Sequence, residues 1–259
     1  MEHASRKFGL ARALSKLGYC SRSHAGGLIR AGRVALNSKI RRDPETPVSL
    51  EKDRIEVDGV KIGAENKIYL MLNKPRGAIT TASDEKGRKT VYAHLGKELP
   101  WLAPVGRLDQ ASEGLLLLTN DSEWAAQVLA PETHLDKTYH VQVGVVAHTT
   151  LLESIVKGIR TEDGDFLRVK HARILCGGER NTWLEVVLDE GKNRHIRRMF
   201  AQLGIEVLRL VRVAIGPLLL GDLRKSESRQ LIPAEKNALD TAMGRMSLAA
   251  RKGNRTSRQ

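Results

Sequence analysis

Along most of the chain the apolar positions recur with helix or strand spacing, and one stretch stands apart from both. Residues 104–121 read PVGRLDQASEGLLLLTND. Four consecutive leucines at 115–118 suit a strand buried on both faces, and Asn120-Asp121 supplies the turn that ends it. The polar loop at 106–113 is thereby fastened to the core. Such a loop can hold a reactive side chain rigid while leaving it open to a ligand.

Upstream, Leu10, Ala13, Leu14 and Leu17 share one helical face, and Gly18 stops that helix. Ser21 or Ser23 can cap a second helix carrying Ala25, Leu28 and Ile29, which ends at Gly32. Gly26 and Gly27 inside it cost about 2 kcal/mol relative to alanines. Short strands follow at 34–36 and 55–57, and residues 59–67, polar with two glycines, read as a linker.

Downstream, a new apolar segment opens at Ile68, and Asn73-Lys74-Pro75-Arg76-Gly77 has the composition of a turn. Residues 83–90 form a charged loop. A helix runs from a Ser122 cap to about Leu129, where Pro131 prevents its continuation. Residues 137–143 alternate as a strand with Tyr139, Val141 and Val143 on one face. A short helix spans 149–157, and strands at 167–175 and 182–188 meet across Gly177-Gly178. The clearest helix covers 194–203, with Ile196, Met199, Phe200 and Leu203 in helical register ahead of Gly204. A last strand at 207–213 carries Arg209 and Arg212. Strands outnumber helices and often follow one another directly, so the larger part is expected to be α+β with a mainly antiparallel sheet.

Charge narrows the partner. The 259 residues carry 43 Lys and Arg against 30 Asp and Glu, and a net charge of +13 attracts a polyanion. The surplus gathers at the ends: residues 1–42 hold ten Lys and Arg against Glu2 alone, and 245–259 hold five with no acid. The segment from about 244 reads as a basic, disordered tail able to touch RNA without specificity. With three Trp, four Tyr and three Phe, a stacking platform for single strands fits less well than phosphate contacts on a folded RNA or a duplex. No apolar run approaches a membrane span, and the first ten residues lack a secretory leader. Cys20 and Cys176 are isolated, without ligand spacing, so a reducing cytoplasmic setting is expected.

Several chemistries drop out. No GxGxxG or P-loop pattern occurs, which argues against dinucleotide and nucleoside triphosphate sites and against a methyltransferase cofactor loop. The histidines complete neither a metal cluster nor a nucleophile arrangement, and Ser112 in ASEGL is not the elbow of a hydrolase. Asp109 and Glu113 would suit a glycosidase pair only if they flanked a substrate, which nothing indicates. What remains is one carboxylate, Asp109, close to Arg107 in a basic protein.

Two resemblances give that carboxylate a context. The run GYCSRSHAGGLIRAGRVALNSKI resembles the S4 RNA-binding domain over about residues 8–58, departing from it at Gly26-Gly27 and Ser38. The resemblance implies that Arg12, Lys16, Arg22, Arg30, Arg33 and Lys39 meet RNA phosphates. PVGRLDQASEGLLLLTND in turn resembles the catalytic motif of pseudouridine synthases, in the branch that modifies ribosomal RNA and carries an N-terminal S4 domain. Lys137-Thr138-Tyr139 is similar to that family's K-x-Y strand, LNKPRG to its turn, and EGKNRHIRRM at 190–199 to its EGKNRQVRRM helix, with His195 in place of glutamine.

The expected layout is an S4 domain at 1–58, a linker at 59–67, a catalytic domain at 68–243 with a mainly antiparallel mixed sheet flanked by helices, and a tail at 244–259. The implied reaction detaches uracil from ribose C1′, rotates it and rejoins it through C5, with no cofactor and no metal. Asp109 would attack C1′ or take a sugar proton, Arg197 would be its cationic partner, and Tyr139 would stack on the flipped base. Arg107 would hold the RNA backbone or fill the space the base leaves. Ribosomal RNA, free or in a pre-ribosomal particle, is the implied partner of a monomer. The EGKNR and WLEVVL stretches favour the large-subunit RNA over the small-subunit RNA, and an inactive RNA-binding or ribosome-assembly protein is the remaining alternative.

Overall fold

The computed structural model describes residues 7–63, 66–82, 84, 87–96 and 98–244, so the tail expected from about 244 lies, from 245 onward, outside the described residues. Two units are present: one of Met1–Tyr69, Leu95–Pro104 and Leu118–Ala125, the other of Leu70–His94, Val105–Leu117 and Ala126–Gln259.

In the first unit, β1 (Lys7–Gly9) leads into α1 (Leu10–Lys16) and α2 (Arg22–Arg30). Leu10, Ala13 and Leu14 of α1 are fully buried with Ala25 and Ile29 of α2, as their helical spacing requires. Ser21 is the cap of α2, its Oγ accepting from the His24 amide at 3.2 Å. The helix runs unbroken through Gly26 and Gly27. There follow β2 (Val34–Leu36), β3 (Lys39–Arg41), β4 (Pro47–Ser49), β5 (Ile55–Val57) and β6 (Val60–Ile62). β3-β2-β5-β6 form an antiparallel sheet, and β4 pairs with β1. β6 occupies residues the sequence assigns to a linker. Asp58 and Gly59, at φ 49° and 77°, make the tight hairpin turn that folds β6 back on β5.

The remaining strands are β7 (Tyr69–Lys74), β8 (Ala103–Val105), β9 (Glu113–Thr119), β10 (Lys137–Val143), β11 (Ile159–Arg160), β12 (Phe166–Leu167), β13 (His171–Gly177), β14 (Thr182–Leu188), β15 (Val207–Ile215), β16 (Leu218–Leu219) and β17 (Ser228–Gln230). The helices between and after them are α3 (Ser122–Leu129), α4 (Thr149–Lys157), α5 (His195–Gln202) and α6 (Pro233–Ala242). The large sheet runs β13-β14-β10-β15-β9-β7-β17, with β16 beside β15 and β8 beside β9. It is mixed: β9 and β15 are parallel, whereas β10 is antiparallel to both β14 and β15. All seven residues of β9 are buried, as the leucine run demands of an interior strand covered on both faces.

Two local expectations change. Asp121, not Ser122, caps α3, its Oδ1 accepting from the Trp124 amide at 3.1 Å. The strand expected at 167–175 is two strands, because Val169 is buried and turns its amide to the Ile155 carbonyl at the end of α4. The apolar face of α5, Ile196, Met199 and Phe200, packs on Val141, Leu184, Val186 and Leu210 of β10, β14 and β15. That contact sets the N-terminal end of α5 against the sheet.

Candidate active site

The loop before β9 is held by its main chain. Ser112 N donates to the Asp109 carbonyl at 2.9 Å, Gly77 N to Gln110 O at 2.7 Å, and Thr80 Oγ1 to Leu108 O at 2.8 Å. Lys74, with no exposed surface, adds a clamp from β7. Its ammonium donates to the carbonyls of Ser112 at 2.7 Å, Asp109 at 3.0 Å and Pro75 at 3.2 Å. Burial lowers the Lys74 pKa to about 8, against the opposing attraction of Asp109 and Glu113. Because every one of these bonds ends on the backbone, the Asp109 carboxylate is left out of the scaffold.

Glu113 is placed quite differently. It opens β9, is 3% exposed, and pairs with Lys225 at 2.6 Å and Arg209 at 3.2 Å. Burial pushes its pKa up, but the hydrogen bonds from Lys225 and Arg209 outweigh that and hold it below the usual range. It shares no helical turn with Asp109, so a glycosidase pair is not built here.

Asp109, partly exposed, lines a cleft of about 530 Å³ together with Arg107, Lys137, Tyr139, Arg212 and residues 191–196. Tyr139 lies on β10 opposite Arg212 of β15. Arg107 is exposed at the mouth of the loop. Three of the four residues that the sequence assigns to the site therefore meet in one cleft. Arg197 is set behind it. Its Nη2 donates to the Ala111 carbonyl and its Nη1 to the Val207 carbonyl, both at 3.1 Å, so the guanidinium ties α5 to the loop of Asp109 and to β15. Burial lowers its pKa while the attraction of Asp109 raises it, an influence exerted through space and not through a hydrogen bond. The neighbouring Arg198 instead reaches Asp163 and Asp165. His195 opens α5, is 3% exposed, and is kept below its ordinary pKa by that burial.

Sequence reasoning missed Lys74 and Arg212. In the sequence Lys74 shows only as part of a turn, and Arg212 only as one polar position in an alternating strand. On the first unit, Arg12, Arg22, Arg30 and Lys39 are exposed. Arg33 is paired with Asp58, and Lys16 with Glu123 at 2.8 Å. Arg12 and Lys16 both lie over the Phe8 ring, at 5.5 and 4.4 Å from its centroid.

Comparison with known proteins agrees with this geometry. The family model described as RNA pseudouridylate synthase matches residues 68–202, and the S4 domain model matches residues 9–62. The chain is 37% identical over 232 residues to ribosomal large subunit pseudouridine synthase B of Bacillus subtilis, covering 89% of this chain and 94% of that protein. It is 39% identical over 233 residues to an uncharacterized RNA pseudouridine synthase of Aquifex aeolicus, covering 89% and 93%. A crystal structure of a pseudouridylate synthase aligns with a TM-score of 0.63 at 28% identity, over 90% of this chain and 99% of that one. With a clamped carboxylate loop, a facing tyrosine and matched models across both units, the chain belongs to the RNA pseudouridylate synthase family and carries an S4 domain ahead of its catalytic domain.

Proposed function

We propose that the protein converts a uridine of large-subunit ribosomal RNA to pseudouridine, acting as a cytoplasmic monomer on free RNA or on a pre-ribosomal particle. The observation that carries this reading is a cationic cleft whose lining holds one carboxylate, Asp109, on a loop fixed through its backbone. The similarity to a Bacillus protein named for the large subunit favours that RNA over the small-subunit RNA.

The target nucleotide leaves its stack at a cost of a few kcal/mol, least where it is unpaired. Its base enters the cleft and stacks on Tyr139. The carboxylate of Asp109 either bonds to C1′ or removes a sugar proton, and the base leaves, turns and rejoins through C5. Arg107, exposed beside the loop, holds the backbone of the flipped nucleotide or fills its former place. The exposed Arg12, Arg22, Arg30 and Lys39 supply phosphate contacts, as do Lys16 and Arg33 once their exposed carboxylate partners yield. Pseudouridine mapping of ribosomal RNA from cells with and without the protein tests the reading. One large-subunit position should lose its modification in its absence, and an unchanged map would refute it.

Arg197 acts in this scheme by positioning the loop and balancing the charge of Asp109. Arg197→Met is expected to lower kcat/KM about 100-fold, since a shift near 1 Å at a reacting group has that scale of effect. Arg198→Met breaks two pairs with exposed carboxylates and a long bond to the Thr161 hydroxyl at 3.5 Å, and should change it by less than about 3-fold, as such contacts contribute little. Steady-state kinetics on an RNA fragment compares the two, and equal small losses would remove Arg197 from the site.

A further inference from the structure

Arg212 is a charged side chain that the scheme above leaves unused. It is 6% exposed, yet it lines the cleft with Asp109. Its Nε donates to the Leu115 carbonyl at 2.7 Å, which fixes the guanidinium against β9. Its Nη2 is buried and finds no acceptor among the described residues. A buried guanidinium with an unanswered donor is destabilising unless something else gains from it. The nearby acid cannot answer it, because Glu113 is already held by Arg209 and Lys225.

The position of Arg212 says what could use it. Tyr139 and Arg212 are register partners on antiparallel β10 and β15, at the first position of the regular run Tyr139–Gln142 that follows a bulge after Thr138. Partners of this kind project from the same face with Cβ atoms about 5 Å apart. A base stacked on Tyr139 therefore brings its edge to the guanidinium. The surroundings are strongly cationic: Arg107, Lys137, Lys192, Arg194 and Arg212 line the cleft against the carboxylate of Asp109. Lys74 and Lys137 both feel Arg212 as a repelling charge. A cleft of this sign is matched to a ligand that becomes anionic as it reacts.

We propose that Arg212 is a catalytic residue that donates to a carbonyl oxygen of the flipped uracil and holds the negative charge of the base while it is detached. The inference rests on the pseudouridine reading and deepens it. When the C1′–N1 bond breaks, its electron pair leaves with the base, giving a uracil anion with charge shared among N1, O2 and O4. The sugar is balanced by a new bond from C1′ to the Asp109 carboxylate, or by transfer of its C2′ proton to that carboxylate with a C1′–C2′ double bond left behind. In both cases the base is an anion until C5 bonds to C1′, which happens as the Asp109 oxygen leaves C1′ in the first route or as the proton held by Asp109 returns to C2′ in the second. The proton on C5 is then lost and one is gained at N1, so no oxidant or other reactant enters. A fixed cation beside the carbonyl oxygens stabilises this charge without reorganising as it develops.

The test compares two RNA fragments, one with uridine and one with 5-fluorouridine at the target position. Fluorine at C5 withdraws electrons and makes the detached base a weaker base, so its departure needs less help. Single-turnover loss of the target nucleoside is measured for the wild type, for Arg212→Gln, which keeps a donor for the Leu115 carbonyl, and for Arg212→Lys, which keeps the charge. Arg212→Gln should lose roughly 100-fold on uridine and less than about 10-fold on 5-fluorouridine, the first figure being the scale for removing one preorganised donor. Arg212→Lys should lose less than Arg212→Gln on uridine. Because both fragments meet the same protein sample, a partly unfolded variant cannot mimic the difference. Equal losses on the two fragments would overturn the proposal and leave Arg212 as a packing residue. A wild type that consumes neither fragment would sink the underlying reading, and the proposal with it.

Discussion

Asp109→Asn should lower the rate of pseudouridine formation by roughly 10⁴-fold or more, the scale seen when a reacting group is removed outright, while RNA affinity changes little. The loop is built so that this substitution is close to a pure chemical deletion. Lys74 and Ser112 hold the carbonyl of residue 109, not its side chain, and Asn leaves those bonds in place. Nor can another carboxylate step in. Glu113 is four residues away in sequence, but it is buried, points into a pair with Lys225 and Arg209, and is absent from the lining of the cleft. The neutral side chain also withdraws the attraction that Asp109 exerts on Lys74 and Arg197, so both cations should become easier to deprotonate. Binding should survive because the phosphate contacts are made by arginines and lysines elsewhere. Chromatography of the nucleosides from the digested RNA product, which separates pseudouridine from its mass-identical isomer uridine, together with a filter-binding titration separates the two effects. Turnover by the Asn variant at the wild-type rate would show that Asp109 is not the reacting group.

What could be read in advance depended on how far along the chain each signal extends. The leucines of β9 and the spacing of Ile196, Met199 and Phe200 in α5 are repeated side-chain patterns, and both elements lie where those patterns put them. β2, β3, β4, β5 and β6 are three residues each; β2 and β5 are apolar at both ends and show in the sequence, β3 (Lys39–Arg41) and β4 (Pro47–Ser49) are not, and β6 has the character of a linker in a polar, glycine-bearing stretch although Asp58-Gly59 is a turn signal. The supports of the site were hidden for a different reason. Lys74 reaches carbonyls 35 and 38 residues downstream, and Arg197 a carbonyl 86 residues upstream. A bond to a backbone oxygen places no demand on the identity of its partner, so no pairing of residue types announces it. Arg212 likewise bonds to the Leu115 carbonyl, and only the strand register sets it opposite Tyr139. Motif resemblance could find Asp109 and Tyr139, but not the long-range contacts that hold the loop.

Gly114→Ala should cost the fold about 4 kcal/mol or more, at the upper end of what a single substitution does. Gly114 sits directly after Glu113 in β9 at φ 102°, a conformation an L side chain rarely adopts, and it is the parallel partner of Arg212 in β15. A Cβ there would lie 2.2 Å from the Arg212 carbonyl oxygen and 2.8 Å from its nitrogen. Those are backbone atoms, so no rotamer change relieves the clash and the two strands must part. Parting them would draw Arg212 away from the Leu115 carbonyl and shift the loop that presents Asp109. Gly204→Ala is the matched control. Gly204 also has a positive φ, 70°, but a Cβ there meets nothing within 4 Å, so only the backbone term of about 1–2 kcal/mol applies. Urea unfolding of the two variants beside the wild type isolates the close approach from the left-handed backbone. Similar small losses in both would mean that β9 and β15 can separate at little cost, and that the leucine strand does not hold the Asp109 loop against β15.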